Sequence, residues 1–136
     1  MDTVSVEKRS YIMSRIRSKD TGPEMVVRRA LHGMGCRYRL HRRDLPGNPD
    51  IVMPGRRLAI FVHGCFWHQH RKCRGSRIPK SNVEFWRAKL ERNVKRDRKA
   101  VRDLRAMGWD VKVVWECEIP KDVGEAAEKL RRELEL

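Results

Sequence analysis

Within the eleven residues from His63 to Cys73 the chain places three histidines and two cysteines: His63, Cys65, His68, His70 and Cys73. Thiolate and imidazole are the donors that tetrahedral zinc prefers, and the spacing Cys65-x4-His70-x2-Cys73 lets one loop fold around a single Zn²⁺ ion. Cys117, in the run Trp115-Glu116-Cys117, supplies a fourth ligand and would tie the loop to the rest of the chain. Cys36 has no spaced partner; it reads as a core thiol or as a substitute for Cys117. The alternative for Cys65 and Cys117 is that they are buried thiols acting as small hydrophobes.

His63 and His68 are surplus to that ion. Either they are surface residues of a structural finger, or a pinned loop holds His68 rigidly beside His63 and an acid. The acid is Asp50, at the end of Leu45-Pro-Gly-Asn-Pro-Asp50. As a turn residue it would need no chemistry. Beside histidines, its oxygens suit Mg²⁺, which polarises a phosphate and neutralises developing charge, while the imidazoles move protons. Glu24 has two readings as well. It completes a capping box with Thr21, and it stands at the edge of a helix's apolar face, from which it could reach the same site.

The elements that must position these residues follow from periodicity. Thr21, Pro23 and the apolar positions Val27, Ala30, Leu31 and Met34 predict a helix ending near Gly35. Strands are predicted at Cys36 to Leu40, Asp50 to Met53, Leu58 to Val62 and Val111 to Glu116. The turn Pro54-Gly55-Arg56-Arg57 makes the second and third of these a hairpin. If Met53 pairs with Leu58, Asp50 falls opposite Phe61, and alternation puts Asp50, Phe61 and His63 on one face. A long helix from about Asn82 to Met107 carries Val83, Trp86, Leu90, Val94, Val101 and Leu104 along one stripe. A last helix starts near Asp122, and Val4 to Arg17 suit a short amphipathic helix or arm.

A chain of 136 residues supports one core, so residues 1–136 are read as a single domain. Within it, 1–20 form the arm, 21–119 the core and 120–136 the C-terminal helix. The formal net charge is +14 and charged residues make up 37%, an excess that favours a polyanionic partner. No apolar run approaches the roughly 20 residues of a membrane span, and no signal-peptide core follows Met1. With four cysteines, a reducing cytoplasm and metal ligation are expected rather than disulfides.

Phe66 and Trp67 lie between ligands on the loop, where rings are more readily displayed than packed. Exposed aromatics among basic residues stack on bases or wedge into a duplex. The phase of Trp86 matches Leu90 and Leu104, so core packing is at least as good a reading. Lys89 and Asn93 line the neighbouring stripe and could reach base edges. The remaining basic residues of that helix, such as Arg92, Arg96 and Arg102, are solvated surface or phosphate contacts. Asp97 falls within the apolar stripe, where an unpaired carboxylate is costly; an Arg or His partner is expected.

Taken together, His63-Gly-Cys-Phe-Trp-His68, Pro46-Gly-Asn-Pro-Asp50, Glu84-Phe-Trp86, Asn93-Val94 and Val114-Trp-Glu-Cys117 resemble the very short patch repair (Vsr) mismatch endonucleases of bacteria, over about residues 8 to 119. The resemblance implies an α/β fold of the restriction-endonuclease type: a mixed central sheet flanked by helices, with a structural zinc. It implies a Mg²⁺-dependent nick in double-stranded DNA, 5′ of the mispaired thymine at a T:G mismatch. In that pattern Asp50 and the Val62 backbone carbonyl hold magnesium, His68 activates water, and His63 and Glu24 assist. Cys65, His70, Cys73 and Cys117 hold zinc. Phe66, Trp67 and Trp86 open the duplex, and the N-terminal helix grips the other groove. A monomer in the bacterial cytoplasm, associated with the nucleoid and working beside other mismatch-repair proteins, is the corresponding expectation. Two departures stand out: Val62 replaces a threonine before His-Gly, and His70-x2-Cys73 is one residue longer than in the best-known member. Two rival readings remain: a non-catalytic zinc module that binds distorted nucleic acid, and a nuclease for deaminated bases or particular duplex sites.

Overall fold

Four strands form one mixed sheet in the order β1-β2-β3-β4. The computed structural model describes residues 21 to 136, so the expected arm at Val4 to Arg17 lies outside the described residues. Helix α1 (Gly22–Gly33) opens where Thr21 accepts the Glu24 N–H, with Pro23 in the first turn. At its end Gly35 takes φ 77° and the Cys36 N–H still reaches the Leu31 carbonyl at 3.0 Å. That wrap of the chain around the helix end delays the first strand: β1 is Arg39–Leu40, shorter than the Cys36 to Leu40 expected.

Strands β2 (Ile51–Met53) and β3 (Leu58–His63) form the anticipated hairpin, with Met53 opposite Leu58 and Ile51 opposite Ile60. Its turn is a short 3₁₀ segment, Pro54–Arg56, closed by Arg57 in the left-handed region at φ 49°. The Arg57 guanidinium then crosses to the Met107 carbonyl at 2.8 Å. It thereby caps the long helix α3 (Val83–Ala106), whose C-terminal carbonyls attract a cation. Between β3 and α3 comes α2 (Cys65–His68), a single turn. Strand β4 (Asp110–Trp115) returns parallel to β3, and α4 (Val123–Glu133) closes the fold.

Alternation along the strands divides the core in two. Ile51, Met53, Leu58, Ile60 and Val114 face α1 and α4, where they pack on Val27, Leu31, Ala126 and Leu130. Val52, Ala59, Phe61 and Val111 face α3, against Ala100 and Leu104. The sheet is therefore covered by helices on both faces, as its run of buried residues in β3 requires. Gly47 fits between the layers only because it lacks a side chain: a Cβ there would stand 2.5 Å from the Ala100 Cβ, and φ is +76°. No helix among the described residues is long and apolar enough to cross a membrane.

Candidate active site and metal centre

Parallel pairing places His63 beside Trp115, so both strands leave the sheet at the same end. Cys65 and Cys117 each lie two residues further on, and they emerge together. With His70 and Cys73 they offer four donor atoms, all within 4.8 Å of one another. His70 Nδ1 lies 3.3 Å from the Cys117 Sγ and 3.7 Å from the Cys65 Sγ. A tetrahedral ion with bonds of about 2.1 to 2.3 Å spreads its donors to about 3.6 Å, so the donor set fits one metal ion. Burial pushes the Cys65 thiol up to about 12, against the opposing pull of the Cys117 N–H; a cation at the site would stabilise the thiolate. Cys36, half-buried against the core, plays no part in the cluster. The Cys65 N–H donates to Glu116 Oε1 at 3.0 Å, and Gln69 bridges the Phe66 and Ser76 carbonyls. These bonds fix the loop to β4 and to itself.

Asp50 sits one residue before β2, where the register continues opposite Phe61. Its carboxylate replaces the missing ladder bond, accepting the Val62 N–H at 2.8 Å. Burial raises Asp50 from the ordinary 3.8 to about 6; the Val62 hydrogen bond opposes this and the nearby Glu24 adds to it. Glu24 is 1% exposed. Its backbone N–H donates to the Thr21 hydroxyl oxygen, while its carboxylate turns inward to Arg28 at 3.4 Å and His41 at 3.0 Å. One glutamate thus completes the Thr21 cap through its N–H and joins His41 and Asp50 through its carboxylate. Glu24, His41 and Asp50 form a second group of converging donors.

His41 was absent from the residues singled out by sequence. It lies in a loop, in the left-handed region at φ 49°, and its ring meets Glu24 across 17 positions of sequence. Only its histidine identity was visible beforehand.

The third group is His63, His68 and Asp97. The two imidazoles stack, with centroids 3.8 Å apart and planes 6° from parallel. His68 Nδ1 meets Asp97 Oδ2 at 2.6 Å, which supplies the partner expected for that acid. A carboxylate accepts, so the proton sits on Nδ1 and Nε2 is left as a base. His63 is 5% exposed, and burial, then His68, lowers it from 6.5 to about 4. Its Nδ1 has no hydrogen-bond partner among the described residues. A neutral His63 can therefore stack on His68 without repelling it.

The two acid–histidine groups share one cavity of about 490 Å³, walled by His41, Asp50, His63, His68 and Asp97, with Arg43 and Arg96 on its lining. The aromatic residues are more packed than the sequence suggested. Phe66 and Trp67 are half-buried and lie edge-on to one another, and Phe66 meets Trp86 at 5.6 Å. Trp86 is 1% exposed, as its helical phase allowed, so a base could meet it only if the cluster opened. The Lys89 ammonium lies 5.4 Å from the Trp67 ring. Asn93 donates to the Trp67 carbonyl at 3.2 Å and accepts from Arg96.

Buried carboxylates, a histidine–aspartate pair and arginines around one cavity are the equipment of a nuclease, and on so basic a chain the class is a DNA endonuclease. The family described as DNA mismatch endonuclease Vsr matches residues 1–74. The type II nicking enzyme V.XorIIP of Xanthomonas oryzae pv. oryzae is 52% identical over 134 residues, 98% of this chain and 97% of that protein. The type II nicking enzyme V.NmeAIP of Neisseria meningitidis is 43% identical over 96% of this chain and 92% of its own length. The DNA mismatch endonuclease Vsr of Escherichia coli is 42% identical over 109 residues, 80% of this chain and 69% of its own. The chain belongs to the Vsr family of DNA endonucleases.

Proposed function

We propose that this chain is a Mg²⁺-dependent, strand-specific nicking endonuclease that cuts duplex DNA 5′ of the mispaired thymine at T:G mismatches, in mismatch repair. One observation carries the reading: Asp50 and the His68–Asp97 pair border the same cavity. Asp50 Oδ2 is held by the Val62 N–H, which orients the carboxylate for magnesium, with the Val62 carbonyl as a second ligand. Bound there, Mg²⁺ supplies positive charge for the scissile phosphate and its leaving oxygen. His68 Nε2 takes the proton of the attacking water, and Asp97 stabilises the imidazolium that results. Neutral His63 would offer its ring nitrogens to water or phosphate, and the buried Glu24 carboxylate would assist at the same ion.

Zn²⁺ is the ion we assign to Cys65, His70, Cys73 and Cys117, because a closed set of three thiolates and one imidazole is a structural zinc set. Phe66, Trp67 and Trp86 form the wedge at the mismatch, with the aromatic cluster opening to admit bases and Lys89 and Asn93 beside it. The architecture we assign is restriction-endonuclease-like, supported by an acid-bearing hairpin, a parallel third partner and helices on both faces. The whole chain is read as one domain that acts as a monomer in the cytoplasm, on nucleoid DNA, beside other repair proteins. The names of its relatives, nicking enzymes and a mismatch endonuclease, favour this reading over a non-catalytic zinc module.

A panel of heteroduplexes tests it. With Mg²⁺, T:G duplex should be nicked on the thymine strand alone, and matched duplex left intact. Uniform cleavage of matched, mismatched, uracil and hypoxanthine substrates would refute the specificity, and absence of product with any divalent ion would refute catalysis.

A further inference from the structure

We propose that His41 is a direct ligand of the divalent ion at Asp50 and Glu24, giving that site a nitrogen donor and hence a preference for Mn²⁺ over Mg²⁺. The inference rests on the reading of Asp50 as the metal-holding acid and extends it to a residue outside the motifs.

The geometry carries it. One donor atom from each of Glu24, His41 and Asp50 lies within 4.8 Å of the others. His41 Nε2 stands 3.0 Å from Glu24 Oε2. Two neighbouring ligands of an octahedral ion with bonds of about 2.1 Å sit about 3 Å apart, so this pair already has the spacing of a shared ion. The carboxylates also need a cation. Glu24 is 1% exposed, and two acids converging at low exposure repel each other unless a positive charge lies between them. Arg28 reaches Glu24 at 3.4 Å and offsets part of that repulsion; an ion held by both carboxylates would offset the rest.

The backbone holds His41 where this role needs it. Its φ is 49°, a conformation that is strained for a residue with a side chain and persists only where neighbours enforce it. Those neighbours are identifiable: the His41 N–H donates to the Asp50 carbonyl at 3.0 Å, and the next N–H, of Arg42, donates to the Pro49 carbonyl. The histidine is thus clamped to the residue whose carboxylate it would join. The cavity reaches the same ring, since His41 and Asp50 both line it. Carboxylate, carbonyl and water suit both Mg²⁺ and Mn²⁺; of the two it is Mn²⁺, the first ion of the transition series, that gains from an added imidazole nitrogen.

The test uses the whole zinc-loaded protein without DNA, so that the thiolate site is filled and activity is not the readout. Mn²⁺ is titrated by the loss of its free-ion electron paramagnetic resonance signal, and Mg²⁺ is measured by competition. His41→Gln should weaken Mn²⁺ about tenfold and change Mg²⁺ less than about threefold on the same footing. Pulsed resonance on the Mn²⁺-bound protein should show modulation from a directly bound nitrogen, and His41→Gln should remove it. Nitrogen modulation absent from the wild type, or retained in His41→Gln, would overturn the inference. Asp50→Asn separates the two claims. If it abolishes Mn²⁺ binding while His41→Gln has no effect, the Asp50 reading stands and the His41 ligand falls. If Mn²⁺ binding survives Asp50→Asn, the underlying reading falls as well.

Discussion

Asp50→Asn should abolish nicking and, in metal-free buffer near neutral pH, make the protein more stable. The wild-type carboxyl is raised from 3.8 to about 6, chiefly by burial. At about 1.4 kcal/mol per pH unit, holding it ionised at pH 7.5 costs the folded state about 3 kcal/mol. Asparagine removes that cost while keeping an oxygen for the Val62 N–H. Its amide donors face an acidic group rather than solvent, and imperfect pairing returns about 1 kcal/mol. The expected gain is therefore about 2 kcal/mol at pH 7.5.

The sign reverses with pH in a definite window. A carboxyl with a raised folded pKa contributes stability below 3.8 and loses it as pH rises through about 6. His63 behaves oppositely: lowered from 6.5 to about 4, it contributes fully above 6.5 and loses this as pH falls through about 4. In the wild type the two slopes largely cancel between pH 4 and 6. Asp50→Asn should unmask the His63 slope and become acid-sensitive; His63→Gln should unmask the opposite one. Urea unfolding at intervals from pH 4.5 to 7.5, with zinc retained and Mg²⁺ omitted, measures both. Protonation of the thiolate site affects all three proteins alike, so their differences isolate the two groups. An Asp50→Asn protein with the wild-type pH profile, or one less stable at pH 7.5, would refute the reasoning.

Three other perturbations address separate parts of the molecule. Asp97→Asn should lower kcat by roughly 10² to 10⁴-fold, with DNA affinity held within about threefold, because it removes the carboxylate that fixes the His68 tautomer; single-turnover kinetics separate the two quantities. Cys117→Ser should reduce bound zinc from one ion per chain, measured by elemental analysis, and cost several kcal/mol of stability, whereas Cys36→Ser should retain the ion. Phe66→Ala with Trp67→Ala should erode T:G preference more than affinity for matched duplex; equal losses in competition binding would mean that the rings only pack against Trp86.

What the sequence made legible was local or periodic. The hairpin register was predictable from its turn, because Pro54 to Arg57 is short enough to leave Met53 opposite Leu58. The metal cluster was legible because three of its four ligands lie within nine residues, Cys65 to Cys73. Where readings were left open, two facts of packing decided them. At Glu24 the Thr21 cap takes only the backbone N–H, which leaves the carboxylate to Arg28 and His41. Trp86 was core in phase, and α2 brings Phe66 and Trp67 over it. His41 was not legible, since its position depends on a left-handed loop residue and a contact with the start of a different element. The partner of Asp97 was legible as a need but not as a name, because stacking of His63 on His68 decides where that ring points.

The metal cluster and the catalytic pair are usefully considered as one mechanical unit, and Trp115 is the part that joins them. Its ring stacks on His70 at 4.2 Å and 8°, and meets the edge of His63 at 5.2 Å and 74°. The next two residues reinforce the link: Glu116 accepts the Cys65 N–H, and Cys117 belongs to the donor cluster. Between Cys65 and His68 there is only one helical turn, too short to hold itself together in water. Its stability must come from its ends, from the metal donors on one side and the Asp97 contact on the other. Loss of the ion would free Cys65 and His70 together, remove the stack on Trp115, and let the His63–His68 pair relax. On the proposed reading, the ion would act on catalysis without touching phosphate, by setting the direction of His68 toward the cavity shared with Asp50.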